Sequence, residues 1–198
     1  MEWVMAASII LIGPLGAGKT TIAGLLAARL GWTSIDLDDL RWSYYAELDY
    51  DAAYADSLRT QDDWRTLGRY WKPFEVHGVE RVLAEYPSDH VIAFGAGNSV
   101  YDEPELFGRA QTALAPFPHV VLLMPAPEID QAAAILRDRI SSRMPQLSDT
   151  SLDYLTTLNL DFMSSPSNTR LAKQTVYTDG QTPEQTRDAI YAICTAPA

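Results

Sequence analysis

Residues Gly13-Pro14-Leu15-Gly16-Ala17-Gly18-Lys19-Thr20 match G-x-x-x-x-G-K-[ST] at every fixed position. In such a loop the glycines let backbone N–H groups point inward at phosphate oxygens, and a following helix N-terminus adds partial positive charge. The lysine reaches the β- and γ-phosphates, and the hydroxyl after it can ligate Mg²⁺. Gly13, Gly16, Ala17, Gly18, Lys19, Thr20 and Thr21 are therefore the expected contacts to a nucleoside triphosphate, with Thr20 on the metal. The chain lacks the guanine-reading N-K-x-D pattern, which favours ATP over GTP.

Three further groups carry chemistry. Asp36-Leu37-Asp38-Asp39 places two carboxylates two residues apart, so an extended segment would put Asp36 and Asp38 on one face. Beside a phosphate loop, one carboxylate can hold Mg²⁺, through water, while the other orients or deprotonates an attacking hydroxyl. Asp39 reads as a helix cap or first-turn charge. Gly95-Ala96-Gly97 is a small-residue turn that admits close backbone approach by a substrate or phosphate, with Asn98 and Ser99 adjoining. Arg137, Arg139 and Arg143 lie before and within a polar stretch, 141–151, where cations that close on the transferring phosphoryl group would also exclude water. A solvated basic helix end is the plainer reading of the same three residues.

Alternating strand and helix signals must position these groups. The apolar run Ser8–Ile12 and the segments Thr33–Leu37, His90–Phe94, His119–Met124 and Gln174–Thr178 read as five strands. Helices are expected over 21–30, closed by Gly31, then 75–86, 103–114, 128–140, 152–163 and 183–194. Val76, Val79, Val82 and Leu83 form the inward face of the 75–86 helix. This alternation predicts an α/β three-layer sandwich around a five-stranded, mostly parallel sheet, with ligands beyond the carboxyl ends of its strands. Residues 40–75 hold Trp42, Tyr44, Tyr45, Tyr50, Tyr54, Trp64, Tyr70, Trp71 and Phe74, and read as helical pieces that either cover the domain or build a substrate pocket.

The 198 residues suit one domain, 1–198, with 40–75 as a substrate-binding insertion and 137–151 as a lid. A net charge of −11 argues against a general nucleic-acid or anionic-membrane surface. Three lysines, Lys19, Lys72 and Lys173, leave arginine to make most other phosphate contacts. The lone Cys194 reads as a buried structural thiol, and His77, His90 and His119 lack metal-ligand spacing. The first residues have no basic leader, so a cytoplasmic protein, monomer or homodimer, is the expectation.

With these pieces placed, the chain resembles the shikimate kinase family of small P-loop kinases over nearly its whole length apart from 40–75. Gly13–Thr20 looks like the family's Walker A loop, Asp36-Leu37-Asp38 like its D-x-D, and Val91–Gly97 like its strand and glycine turn, with Ala96 where the family has a middle glycine. The resemblance implies that Asp36 supports Mg²⁺ and that Asp38 contacts the acceptor hydroxyl as the proposed base. It places Arg137 to Arg143 among lid arginines, with Arg139 on the nucleotide and Arg143 on the transferring phosphate and acceptor. Thr178–Pro183 resembles the loop near adenine, which brings in Thr182 and Pro183. Gly95, Ala96, Gly97 and Arg170 complete the implied acceptor contacts. Trp71-Lys72-Pro73-Phe74-Glu75 has no arginine where the family carries one. The expectation is an ATP- and Mg²⁺-dependent phosphotransferase acting on a hydroxyl of a small molecule. Its acceptor could be a larger, more aromatic one than shikimate, such as a nucleoside or a natural product. A nucleotide-binding regulatory or resistance protein with little transferase activity is the rival reading, and the D-x-D argues against it.

Overall fold

The computed structural model describes residues 7–196; the first six residues, read above for a leader, and the last two lie outside it. Five strands, β1 (Ile9–Ile12), β2 (Thr33–Asp36), β3 (His90–Ala93), β4 (Val120–Met124) and β5 (Gln174–Tyr177), form one sheet in the order β2-β3-β1-β4-β5. Every neighbouring pair is parallel. β1 thus lies between β3 and β4, and the loop after β1 leaves the sheet at the point where the winding reverses, the place where such sheets bind ligands.

The period-two alternation of the strands sorts the core into two layers. Ile10, Ile12, Ile92, Phe94, Val120 and Leu122 face one side, packed on α2 (Leu37–Ala46), α4 (Trp64–Glu85), α5 (Pro104–Leu114) and α6 (Ile129–Arg143). Ile9, Leu11, Val91, Ala93, Val121, Leu123 and Val176 face the other, packed on α1 (Lys19–Leu30) and α9 (Pro183–Thr195). Cys194 is a half-buried free thiol against that second layer, and burial pushes its pKa up to about 11, away from nucleophilic use.

Several boundaries differ from the sequence expectation. The helix expected at 75–86 begins at Trp64 and runs through Pro73. An interior proline costs roughly 3 kcal/mol. Burial of Leu67 and Phe74 on either side of it, and of Val76, Val79, Val82 and Leu83 beyond, offsets this at about 1.5–3 kcal/mol per side chain. The four residues predicted to face inward are all buried. The polar stretch 141–151 is mostly helical: α6 continues to Arg143, α7 (Asp149–Ser164) starts with Ser148 as its N-cap, and only 144–148 is non-helical. A short helix, α8 (Pro166–Leu171), was not foreseen, because six residues are too few to show a hydrophobic period. α3 (Ala52–Thr60) completes the aromatic segment. Among the described residues no helix is long and apolar enough to cross a membrane.

At Gly13 the backbone sits at φ +138°, and an added Cβ would lie 2.4 Å from the Leu123 carbonyl oxygen. Strain of this kind costs of order 1–3 kcal/mol, before the clash with rigid β4 backbone is counted. Gly13→Ala is expected to lower the melting temperature by roughly 5–10 °C in a thermal-denaturation scan; an unchanged value would contradict the close approach.

Candidate active site

The phosphate loop is built by backbone conformation. Gly16 and Gly18 both adopt positive φ, +83° and +95°. Gly18 is the N-cap of α1, and no side chain caps that helix. Asp36, Asp51, Asp63, Ser148 and Thr182 cap α2, α3, α4, α7 and α9 through their side chains, while α5 and α6, like α1, have no such cap. The first N–H groups of α1 are therefore left without a side-chain acceptor, which suits them to a phosphate. Lys19 is buried and donates from Nζ to the carbonyl oxygens of Gly13 (2.8 Å) and Pro14 (2.9 Å). Burial lowers its pKa to about 8, against the opposing pull of Asp38 and Asp36.

The D-x-D segment is not extended. Asp36 ends β2 and caps α2, accepting from the Asp38 backbone N–H at 3.0 Å, while Asp38 and Asp39 lie in the first turn. The cap is thus Asp36, and Asp39 is a first-turn charge, one of the two roles expected of it. The expected shared face of Asp36 and Asp38 is replaced by a strand-to-helix corner. That corner still separates two tasks. Thr20 donates from Oγ1 to Asp36 Oδ2 at 2.8 Å, so two hard oxygen donors meet beside the phosphate loop. Among the described residues no three His, Cys, Asp or Glu side chains gather to hold a metal. Two protein oxygens with room for phosphate and water fit Mg²⁺, which keeps several waters and seldom uses an all-protein cage. Asp38 turns the other way. Its carboxyl contacts Arg41 Nη1 at 3.2 Å, and desolvation raises its pKa despite that arginine.

Two cavities flank the loop. One, of about 250 Å³, is lined by Gly16, Ala17, Gly18, Thr21, Arg139, Thr178 and Pro183, among others. Arg139 donates to Thr178 Oγ1 at 3.0 Å within it. Thr182 is not in its lining; its side chain forms the capping box of α9 with Gln185. The other cavity, of about 240 Å³, is lined by Leu15, Asp38, Arg41, Gly95, Ala96 and Gly97, with walls from α2, α4 and α7.

Gly95 and Gly97 are needed for close approach, though the partners are protein side chains. A Cβ on Gly95 would lie 2.5 Å from both Asp38 Oδ1 and Asn98 Oδ1, and one on Gly97 would lie 2.4 Å from Glu75 Oε1. Residues 95–99 form a turn, with a single 3₁₀ segment over Ala96–Ser99, that pins these carboxylates at the cavity wall.

Two of the arginines expected at the acceptor site are elsewhere. Arg170 lies on α8 with its guanidinium 4.0 Å above the Phe107 ring, lining a separate cavity. Its helix packs behind the 95–99 turn, so the side chain emerges on the far side. Arg143 ends α6, is exposed, and lines neither flanking cavity. Arg137 is paired with Asp153 of α7 at 2.6 Å.

Four side chains at the site escaped the sequence reading, the first being Arg41 beside Asp38. Lys72 and Glu75 form a nearly buried ion pair at 2.6 Å, with Lys72 Nζ also donating to the Gly97 carbonyl at 3.0 Å. Their i,i+3 spacing was a signal, but a continuous helix through Pro73 was not expected. Asn159 of α7 is buried and grips the phosphate loop: it accepts from the Leu15 N–H (2.9 Å) and donates to the Leu15 carbonyl (3.0 Å). Asn159→Ala removes both hydrogen bonds, worth about 0.5–1.5 kcal/mol each. It is expected to weaken nucleotide binding about tenfold by calorimetry; unaltered affinity would mean that the loop holds its shape without α7.

No protein-family model matches the chain. It is 28% identical to the shikimate kinase of Streptomyces avermitilis over 185 residues, 92% of both chains. A stretch of 98 residues, 49% of the chain, is 38% identical to the pentafunctional AROM polypeptide of Schizosaccharomyces pombe, of which it spans 6%. In structure it is similar to a shikimate kinase from Acinetobacter baumannii in complex with shikimate (TM-score 0.64, 18% identity, 95% of this chain and 92% of that one). It is also similar to a gluconokinase from Sinorhizobium meliloti 1021 (TM-score 0.59, 18% identity, 96% and 92%). The structural likenesses establish the fold as that of the P-loop kinases. The sequence likeness agrees with that class. Within that class the chain is shikimate-kinase-like.

Proposed function

We propose that this protein transfers the γ-phosphate of ATP to a hydroxyl of a small molecule held in the cavity between α2, α4 and α7. The observation that carries the reading is the position of Asp38. It lines that cavity, and its charge is felt by Lys19 of the phosphate loop. A carboxylate there can orient an acceptor hydroxyl toward the γ-phosphate and take its proton.

In this reading Gly16, Ala17, Gly18 and Thr21 cradle the phosphates, and Arg139 and Pro183 flank the nucleotide. Lys19 exchanges its two loop carbonyls for phosphate oxygens. Thr20 and Asp36 would hold Mg²⁺, which supplies charge neutralisation at the phosphates. The raised pKa of Asp38 makes it a better proton acceptor than an ordinary carboxylate. Gly95, Ala96 and Gly97 shape the acceptor wall. Arg143, exposed at the end of α6, is the cation that would reach the transferring group if the 144–148 turn moved toward the phosphate loop.

The test is ADP release by the purified chain with ATP and Mg²⁺ over a panel of alcohols, with the phosphorylated product identified by mass spectrometry. Transfer to at least one alcohol is expected. Tight ATP binding with no transfer across a broad panel would instead favour a nucleotide-binding regulatory protein.

A further inference from the structure

Of the two cations that line the acceptor cavity, Lys72 is fully committed and Arg41 is engaged through one nitrogen. Lys72 is paired with Glu75 and bonded to the Gly97 carbonyl. Arg41 is paired with Asp38, and its guanidinium lies 4.5 Å above the Trp42 ring. Asp38 and Glu75 balance Arg41 and Lys72, so the lining is neutral overall. Placing a carboxylate on Lys72 would require breaking its nearly buried pair and leaving Glu75 uncompensated, which is strongly unfavourable, whereas the Arg41–Asp38 pair is about half exposed and yields more easily.

What the cavity offers instead is ring surface and single hydrogen bonds. Trp42, Tyr45, Trp64, Trp71, Tyr154 and Phe162 all line it. Four of the large apolar side chains left exposed, Leu15 (38%), Trp42 (46%), Trp64 (39%) and Tyr154 (38%), belong to this same lining. Trp64 and Tyr154 meet across the mouth, from α4 and α7, with ring centroids 5.1 Å apart. Exposed apolar side chains gathered at one cavity mark a binding surface. Arg41 Nε is buried with no hydrogen-bond partner, which leaves one N–H for a ligand oxygen. A cavity of about 150 Å³ holds a benzene ring; about 240 Å³ therefore takes a ring with its substituents.

We propose that the acceptor is an uncharged alcohol bearing a flat, apolar or aromatic ring, and that the Lys72–Glu75 pair excludes hydroxy-acids from this site. The inference rests on the reading of this cavity as the acceptor site of a kinase. The ring would lie among Trp42, Trp64, Trp71 and Tyr154. The hydroxyl would point to Asp38, and a second oxygen would accept from Arg41 Nε. Transfer then forms a P–O bond to the acceptor oxygen and breaks the bond from γ-phosphorus to the β,γ-bridging oxygen. ADP leaves with that oxygen, and the hydroxyl proton passes to Asp38.

The experiment compares thymidine, benzyl alcohol and 2-phenylethanol with shikimate and gluconate on the full chain. Binding is followed by tryptophan fluorescence and transfer by ADP release with ATP and Mg²⁺. The ring alcohols are expected to quench tryptophan emission and to exceed the hydroxy-acids at least tenfold in kcat/KM. In Glu75→Gln, which frees Lys72, the hydroxy-acids should gain at least tenfold in binding relative to the ring alcohols. Preferred transfer to a hydroxy-acid by the wild type overturns the inference and leaves the kinase reading standing. So does an absence of quenching by every ring alcohol at millimolar concentration. Quenching by ring alcohols without transfer to any acceptor supports the binding class while overturning the kinase reading. The wild-type comparison decides the matter even if Glu75→Gln does not fold.

Discussion

Replacing Asp38 with asparagine is expected to cut turnover by about 10²–10⁴-fold, the range for loss of a positioned general base, while leaving ATP affinity nearly unchanged. Asparagine keeps the shape that fits against Gly95, where the carboxyl lies closer than any Cβ could. The variant therefore isolates charge and basicity from packing. Steady-state kcat and a separate nucleotide titration read the two effects independently. The pH profile gives the sign. Asp38 must be ionised to accept a proton, and its pKa is raised, first by desolvation and then by Asp36, against the lowering by Arg41. Activity should therefore be lost as pH falls through a value above that of an ordinary carboxylate. That acid limb should vanish in Asp38→Asn. A wild-type profile flat down to pH about 4, the ordinary carboxylate value, would remove Asp38 from the role proposed for it.

Lys19→Met is the second large effect, and it separates function from stability. Loss of one preorganised cation at the transferring phosphate is worth about 10²–10³-fold in kcat. Stability is expected to move the other way. Burial lowers the Lys19 pKa from 10.5 to about 8, which corresponds to about 3 kcal/mol spent charging this group inside the fold. Between about pH 8 and 10.5 the unfolded chain binds more protons than the folded one, so wild-type stability rises with pH across that window. Below about pH 8 both states hold the proton and the full cost applies. Methionine removes the cost, so Lys19→Met should melt at or above the wild-type temperature at pH 7 and lose the rise above pH 8. The free enzyme should also show an alkaline limb in kcat/KM near pH 8, where Lys19 loses its proton. A variant that loses activity and also melts many degrees lower would show that the lysine holds the loop together through its bonds to Gly13 and Pro14.

These two residues were legible in the sequence because each sits in a short contiguous pattern. The loop 13–20 specifies its own conformation: glycines at positions that need positive φ, then a helix whose first turn carries no capping side chain. The three central strands, β1, β3 and β4, were equally plain, since buried parallel strands are continuous apolar runs, whereas the edge strands β2 and β5 are polar and largely unburied. Asp36 and Asp38 were visible as a pair, but their division of labour was not. It depends on β2 ending at Asp36, which makes that residue both a cap and the partner of Thr20. Arg170 and Thr182 were misplaced for a related reason. Their types and spacing suit a site, yet one emerges behind the turn at 95–99 and the other closes a capping box.

The sequence by itself determined the conformation of the 13–20 loop, because it is set by glycine backbone and one helix turn within a contiguous stretch. Only the tertiary structure decided what the acceptor cavity looks like. Its wall joins Leu15 after β1, Asp38 and Arg41 on α2, Lys72 and Glu75 on α4, the turn after β3, and Tyr154 on α7. Whether Lys72 is a free cation or a spent one depends on α4 running unbroken through Pro73 and bringing Glu75 and the Gly97 carbonyl to the same ammonium group. The i,i+3 spacing of Lys72 and Glu75 hints at the pair, but the contact with the Gly97 carbonyl, 25 residues away, is a property of distance in space that no spacing along the chain encodes.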